Sequence, residues 1–171
     1  DTHTHIYYNI GTTTLEDQIN RCLDQNIKRL FLPNVDSESV SAVLSTSKSY
    51  PEICFPMLGL HPCSVKENYL EELALIEKAI HAHKIYAIGE IGLDLYWDKS
   101  TLAIQQDAFR TQIKWAKALG LPIDIHCREA FDETFEILEE LHDDKLYGIF
   151  HCFTGNLEQA KRAINLGFKL G

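Results

Sequence analysis

Five of the eight histidines in this chain finish short apolar runs. His3 and His5 stand at the N-terminus, His61 follows Gly59-Leu60, His126 follows Pro122-Ile-Asp-Ile125, and His151 follows Tyr147-Gly-Ile-Phe150. Imidazole is a common ligand of divalent metals. Residues two apart on a strand share a face, so His3 and His5 can reach one ion. Glu90, in Ala87-Ile-Gly-Glu-Ile-Gly-Leu-Asp94, is read as ending an apolar strand between two glycines. A carboxylate buried there is costly without a cation or a donor beside it, and its two oxygens suit it to bridging two ions. Each residue alone also fits a plainer role: a hydrogen-bonded core histidine, or a carboxylate capping a helix or loop. Taken together, metal ligation by His3, His5, Glu90, His126 and His151 is the better explanation.

The remaining polar candidates are less specific. His81, His83 and His142 fall at expected helix C-termini, where a histidine interacts favourably with the helix dipole and faces water. His81 and His83 also spell H-x-H, but at a helix end their side chains diverge. Cys127 and Cys152 alternate with His126 and His151 and are expected to be buried packing residues. Arg128 could meet a phosphate or pair with Glu129 or Asp132. Tyr96 and Trp97 belong to the loop after the Glu90 strand, where they could stack on an unpaired base or anchor the loop to the core. Asp94 fits a turn-forming role as well as a functional one.

The elements that must position these groups alternate along the chain. Expected strands are Asp1–His5, Arg29–Val35, Cys54–Leu60, Ile85–Glu90, Pro122–Cys127, Tyr147–Cys152 and Phe168–Gly171. Expected helices are Leu15–Gln25, Ser37–Ser49, Glu67–Ala82, Leu102–Leu119, Ala130–Leu141 and Leu157–Leu166. Leu73, Ile76 and Ile80 form one apolar stripe, as do Leu157, Ala160 and Ile164. Thr13 with Glu16, and Asn156 with Gln159, are placed as reciprocal N-caps. Gly120 before Pro122, and Gly167, stand where helices should stop. Repeated strand–helix alternation means a parallel sheet with helices on its faces. An open sheet would spread the five histidines along a line, whereas a barrel gathers them on one rim, the C-terminal edge where α/β folds keep their sites. The expected fold class is therefore an α/β (β/α)8 TIM-type barrel forming a single domain over residues 1–171. With seven strands in 171 residues, it is expected to be truncated, lacking the last strand and helix, since a full barrel needs about 250 residues.

Composition narrows the partners. A net charge of −9 excludes bulk phosphate neutralisation as a mode of nucleic-acid binding and favours a transient enzyme–substrate encounter, with DNA as a passing substrate, over an architectural role. Five cysteines without a C-x-x-C pair point to a reducing, cytoplasmic setting. No apolar run approaches the ~20 residues of a membrane span, and no stable protein partner is implied.

Asp1-Thr-His-Thr-His5, Gly59-Leu-His-Pro62, Gly89-Glu-Ile-Gly-Leu-Asp94, Pro122-Ile-Asp-Ile-His-Cys-Arg128 and His151-Cys-Phe-Thr-Gly155 occur in the order and spacing of the TatD-type deoxyribonucleases. The chain closely resembles that amidohydrolase-like family along essentially all its length. The resemblance implies one or two divalent ions, with His3 and His5 on one, Glu90 bridging, and His126 and His151 on the other. It implies catalytic parts for Glu90, His61 and Arg128, and substrate contacts for Tyr96, Trp97 and Arg128. It also implies a further Asp ligand in a Thr-Asp-Ala-Pro-like motif of the last strand, beyond Gly171. Cys63 departs from many relatives, which carry another polar residue or His there. Water activated by two ions about 3.5–4 Å apart would attack a phosphodiester in line. The ligand set admits zinc, manganese, nickel, iron or magnesium. Two rival readings stand beside the nuclease: an amidohydrolase-like enzyme acting on a small ester, amide or phosphoester, and a non-catalytic metal-binding fragment. The 171 residues alone are expected to be inactive or nearly so.

Overall fold

The computed structural model describes residues 1–8 and 11–171. Alternation of period-2 and period-3.6 apolar patterns builds six strands and six α-helices. They follow the order α1 (Leu15–Asp24), β1 (Leu30–Pro33), α2 (Val40–Ser49), β2 (Cys54–Met57), α3 (Tyr69–Ala82), β3 (Ile88–Asp94), α4 (Leu102–Leu119), β4 (Ile123–Arg128), α5 (Phe131–Glu140), β5 (Gly148–Phe150), α6 (Leu157–Asn165) and β6 (Lys169–Leu170). All strand pairings are parallel, β1 with β2 and then β3-β4-β5-β6. A bridge between Leu58 and Ile88, with Tyr86 N–H donating to Pro56 O and Gly89 N–H to Leu58 O, joins the two sheets into one ribbon.

Residues 1–5, expected as a strand, are instead an extended arm. Thr4 N–H donates to Phe31 O and Phe31 N–H to Asp1 O, a contact too brief to make a ladder before the chain turns at residues 6–8. The ribbon is curled. In a flat sheet His3 on the arm and His151 past β5 would be five strand spacings apart, about 24 Å. Their rings instead stack with centroids 3.8 Å apart. Curvature therefore gathers the strand ends on one rim, as the barrel expectation required.

Local signals account for most helix ends. Asn156 and Gln159 form the expected reciprocal cap of α6, and Gly120 closes α4 in the left-handed region at φ 65°. The box at α1 lies one residue later than expected, between Thr14 and Asp17, because the shorter Asp side chain at the third helical position reaches back to the Thr14 N–H at 3.2 Å. On α3 the stripe Leu73, Ile76 and Ile80 is buried. On α6 the expected stripe is corrected: Leu157 is 70% and Ile164 58% exposed, while Ala163 is fully buried. Periodicity found an apolar line there, but the ribbon meets the helix along its small residue.

The largest shift concerns β3, expected at Ile85–Glu90 and observed at Ile88–Asp94, with every residue buried. Glu90 is thus mid-strand rather than terminal. The glycines that suggested a strand end serve close packing instead. At Gly92, with φ 142°, an added Cβ would lie 2.0 Å from His126 O, so only glycine lets β4 pair there. The ladder also slips register between Ile88 and Ile91, which turns the Glu90 side chain to the rim.

Candidate metal centre

Glu90 is 3% exposed, and both its oxygens face imidazole nitrogens. On one side, Oε2 is 3.3 Å from His3 Nε2 and 3.4 Å from His5 Nε2. On the other, Oε1 is 2.8 Å from His126 Nδ1, 2.7 Å from His151 Nε2 and 3.2 Å from His61 Nε2. The arm, the loop after β2, β3, β4 and the end of β5 each contribute, so residues distant in sequence meet around one carboxylate.

Partners behind the rings fix which nitrogen faces inward. A carboxylate only accepts, so His3 donates its Nδ1–H to Asp124 Oδ2 at 2.6 Å, leaving Nε2 toward Glu90. His5 is set the same way: the Tyr7 hydroxyl gives its proton to Pro33 O at 2.7 Å and accepts from His5 Nδ1 at 3.0 Å. His126 donates Nε2–H to Asp94 Oδ2 at 2.9 Å, leaving Nδ1 inward. Three imidazole lone pairs therefore converge on one carboxylate. Acceptors crowd like this only where a cation or protons lie between them. His3 Nε2 and His5 Nε2 are 3.1 Å apart, close to the roughly 3.3 Å edge expected of tetrahedral ligands with metal–nitrogen bonds near 2.0–2.1 Å. The residues fit a divalent ion on this side. Outer partners of this kind orient ligating histidines generally.

His61 is different. Spacing alone would admit His61, Glu90 and His126 as a ligand set. However, His61 Nδ1 accepts the Cys63 N–H at 3.0 Å, so the neutral ring carries its proton on Nε2, the nitrogen that faces the site. A protonated nitrogen offers no lone pair to a metal. His61 is built to donate.

The electrostatics follow from this packing. Burial alone would raise the Glu90 carboxyl, but hydrogen bonds from His126, His151, His3 and His5 hold it far below the ordinary carboxylate range. Burial would lower His3, yet its hydrogen bonds to Asp124 and Glu90 push it up to about 9. His126 is raised against burial by Glu90 and Asp94. Asp94 is lowered despite burial by His126 and the Tyr96 and Trp97 N–H groups. Cys63 is pushed up to about 12 by burial and by Asp94, so it stands here as a neutral thiol.

The other expected residues divide. Arg128 makes no ion pair with Glu129 or Asp132 among the described residues; its guanidinium lies 3.7 Å from the Tyr96 ring centroid and 5.7 Å from that of Trp97. Tyr96 and Trp97 are 48% and 70% exposed, so they do not anchor the loop in the core. His81, His83 and His142 are exposed and away from the rim, as expected. Cys127 is half-buried, with Sγ 3.4 Å from Thr134 Oγ1. Cys152 is exposed, contrary to the packing role expected of it. Its φ of 44° takes the backbone out of the extended conformation, so strand alternation no longer governs it. Asp124 and Tyr7 were missed. Asp124 lies two residues before His126 on a strand, hence on the same face, and that spacing was a usable signal.

Comparison with known proteins places this geometry. Residues 1–171 match the family described as TatD related DNase. An uncharacterized metal-dependent hydrolase of Bacillus subtilis, YabD, is 35% identical over 170 residues, covering 99% of this chain and 66% of that protein. The 3′-5′ ssDNA/RNA exonuclease TatD of Yersinia pseudotuberculosis is 30% identical over 155 residues, 90% of this chain and 59% of that protein. Among solved structures, YjjV, the TatD homolog of Escherichia coli, superposes with a TM-score of 0.91 at 29% identity over 100% of this chain and 66% of that one. The chain thus spans just under two thirds of the length of these relatives, and the architecture is that of a TIM-type barrel over that span.

Proposed function

We propose, from the premise that the chain belongs to the TatD related DNase family across residues 1–171, that its rim is the metal centre of a divalent-metal-dependent hydrolase that cleaves phosphodiester bonds of DNA. The observation that carries this reading is the convergence of inward-facing imidazole nitrogens on both oxygens of one buried carboxylate. His3, His5 and Glu90 would hold one ion, and Glu90, His126 and His151 the other. When bound, such ions acidify a water and offset charge on the phosphate.

The chain's own groups supply the rest. Asp124, Tyr7 and Asp94 hold three of the rings in their donor orientation. His61 presents Nε2–H to the same space, where it can donate to a phosphate oxygen. Arg128, kept flat against Tyr96, offers guanidinium N–H groups to an anionic substrate. His126, Arg128, His151 and Thr154 border a cavity of about 290 Å³ that opens from the centre. The name of the Yersinia relative supports a nuclease activity. The net charge of −9 favours the rival of a small ester or phosphoester, because a strongly acidic protein repels a polyanion.

The deciding experiment is metal analysis with paired assays on single-stranded DNA and on a simple phosphoester, using the natural protein and its Glu90→Ala variant. Metal bound at the expected stoichiometry, chelator-sensitive DNA cleavage, and loss of both in the variant support the nuclease. Turnover of the small ester alone supports the rival. Equal metal and activity in both proteins would remove Glu90 from the centre.

A further inference from the structure

Trp97 exposes most of its indole at the mouth of the centre. It crosses Tyr96 edge to face, with centroids 4.8 Å apart and planes at 89°, and the Arg128 guanidinium covers Tyr96. Large exposed aromatics on a mobile loop would carry little meaning, but this backbone is held. Asp94, whose side chain is 1% exposed, accepts the N–H groups of Tyr96 at 3.0 Å and Trp97 at 3.3 Å through Oδ1. Its Oδ2 accepts from His126. Gln105, buried on α4, fixes the strand end further by donating to Asp94 O and accepting from Asp94 N–H. One buried carboxylate thus fastens both the aromatic loop and a residue of the metal centre.

We infer that Trp97, Tyr96 and Arg128 form a preorganised stacking platform that selects an unpaired nucleotide beside the centre, the nucleobase lying on the exposed indole and the adjoining phosphate meeting Arg128. This rests on the hydrolase reading above and adds the substrate class, a single-stranded nucleic acid. The features match that ligand in kind. A nucleotide offers a flat π-face and a negative charge next to each other, as the platform offers rings and a cation. A duplex end keeps its base paired and stacked, so a platform of this kind favours a free strand. Because aromatic stacking accepts every base, the platform selects for unpaired structure rather than sequence.

The test uses the full metal-loaded protein, and Trp97→Ala and Trp97→Phe variants, on a single-stranded oligodeoxynucleotide and on its twin with abasic nucleotides at the terminal positions. Loss of one stacked base should raise KM roughly 5- to 150-fold for Trp97→Ala on the normal strand, with Trp97→Phe recovering much of it. Trp97→Ala should cost little on the abasic twin, and metal content and melting temperature should match the wild type. Tryptophan fluorescence of the wild type should be quenched by the normal strand more than by the abasic one. Unchanged KM in Trp97→Ala, or equal losses on both strands, would overturn the platform while leaving the nuclease intact. Failure of the wild type to cleave either strand would overturn both readings.

Discussion

The two oxygens of Glu90 look onto unequal neighbourhoods. On the Oε2 side both imidazoles are braced from behind, His3 by Asp124 and His5 by Tyr7. On the Oε1 side only His126 is braced, by Asp94; His151 has no hydrogen-bond partner on Nδ1 among the described residues, and His61 turns a proton inward. One half is assembled within the chain's first 124 residues. The other has two ligating rings plus the shared carboxylate, and the family resemblance supplies its further donor from an Asp of the last strand. Preorganisation should therefore make the His3–His5 half the tighter of the two.

The largest break in this comparison is Glu90→Ala. It removes the shared ligand, so both ions should be lost, and metal affinity should fall more than about 100-fold, beyond what loss of an outer partner costs. Elemental analysis after dialysis checks it, and retention of either ion at full occupancy would contradict a bridging carboxylate. Next come the outer partners, which should act on one half each. Asp124→Asn should weaken the first ion by about 10–100-fold and leave the second nearly unchanged; Asp94→Asn should do the reverse. Calorimetric titration resolving two binding phases would show this, and equal effects on both phases would erase the distinction between halves.

A third effect is pH. In metal-free protein the proton on His3 occupies the lone pair that an ion would take. With its pKa raised to about 9 from 6.5, the ion pairs with Asp124 and Glu90 contribute fully below about pH 6.5. That stability is lost as pH rises through about 9. Melting temperatures of chelated protein should fall across that window, while the metal-loaded protein changes less because the cation replaces the proton. Metal affinity of this half should rise over the same range. The smallest effect should be Tyr7→Phe, which removes the acceptor behind His5 but leaves a ring in place: less than about tenfold in affinity for the first ion.

Legibility in the sequence followed locality. Helices came from periodicity and caps, and the rim residues from a rule about strand ends that needs no neighbour. What failed depended on neighbours. Glu90 moved from the strand end to its middle because Gly92 answers to the His126 carbonyl on β4, a demand invisible along β3 itself. The α6 stripe failed because an apolar line reports that a helix has a packing face, not that the rest of the molecule meets it. Cys152 failed because one positive φ ended the alternation that predicted its side. His61 was read as catalytic from its place at a strand end, but its proton-bearing tautomer became visible only with the Cys63 N–H in position. Asp124 was the one omission that strand spacing alone could have caught.

The N-terminal arm meets β1 along a short stretch near Phe31, and its attachment to the opposite side of the ribbon runs through His3 and His5. Ions seated there would act as a latch as well as a reagent. Scarcity of divalent ions then frees a protein end, and proteolytic clipping near residues 1–8 becomes a readout of metal supply.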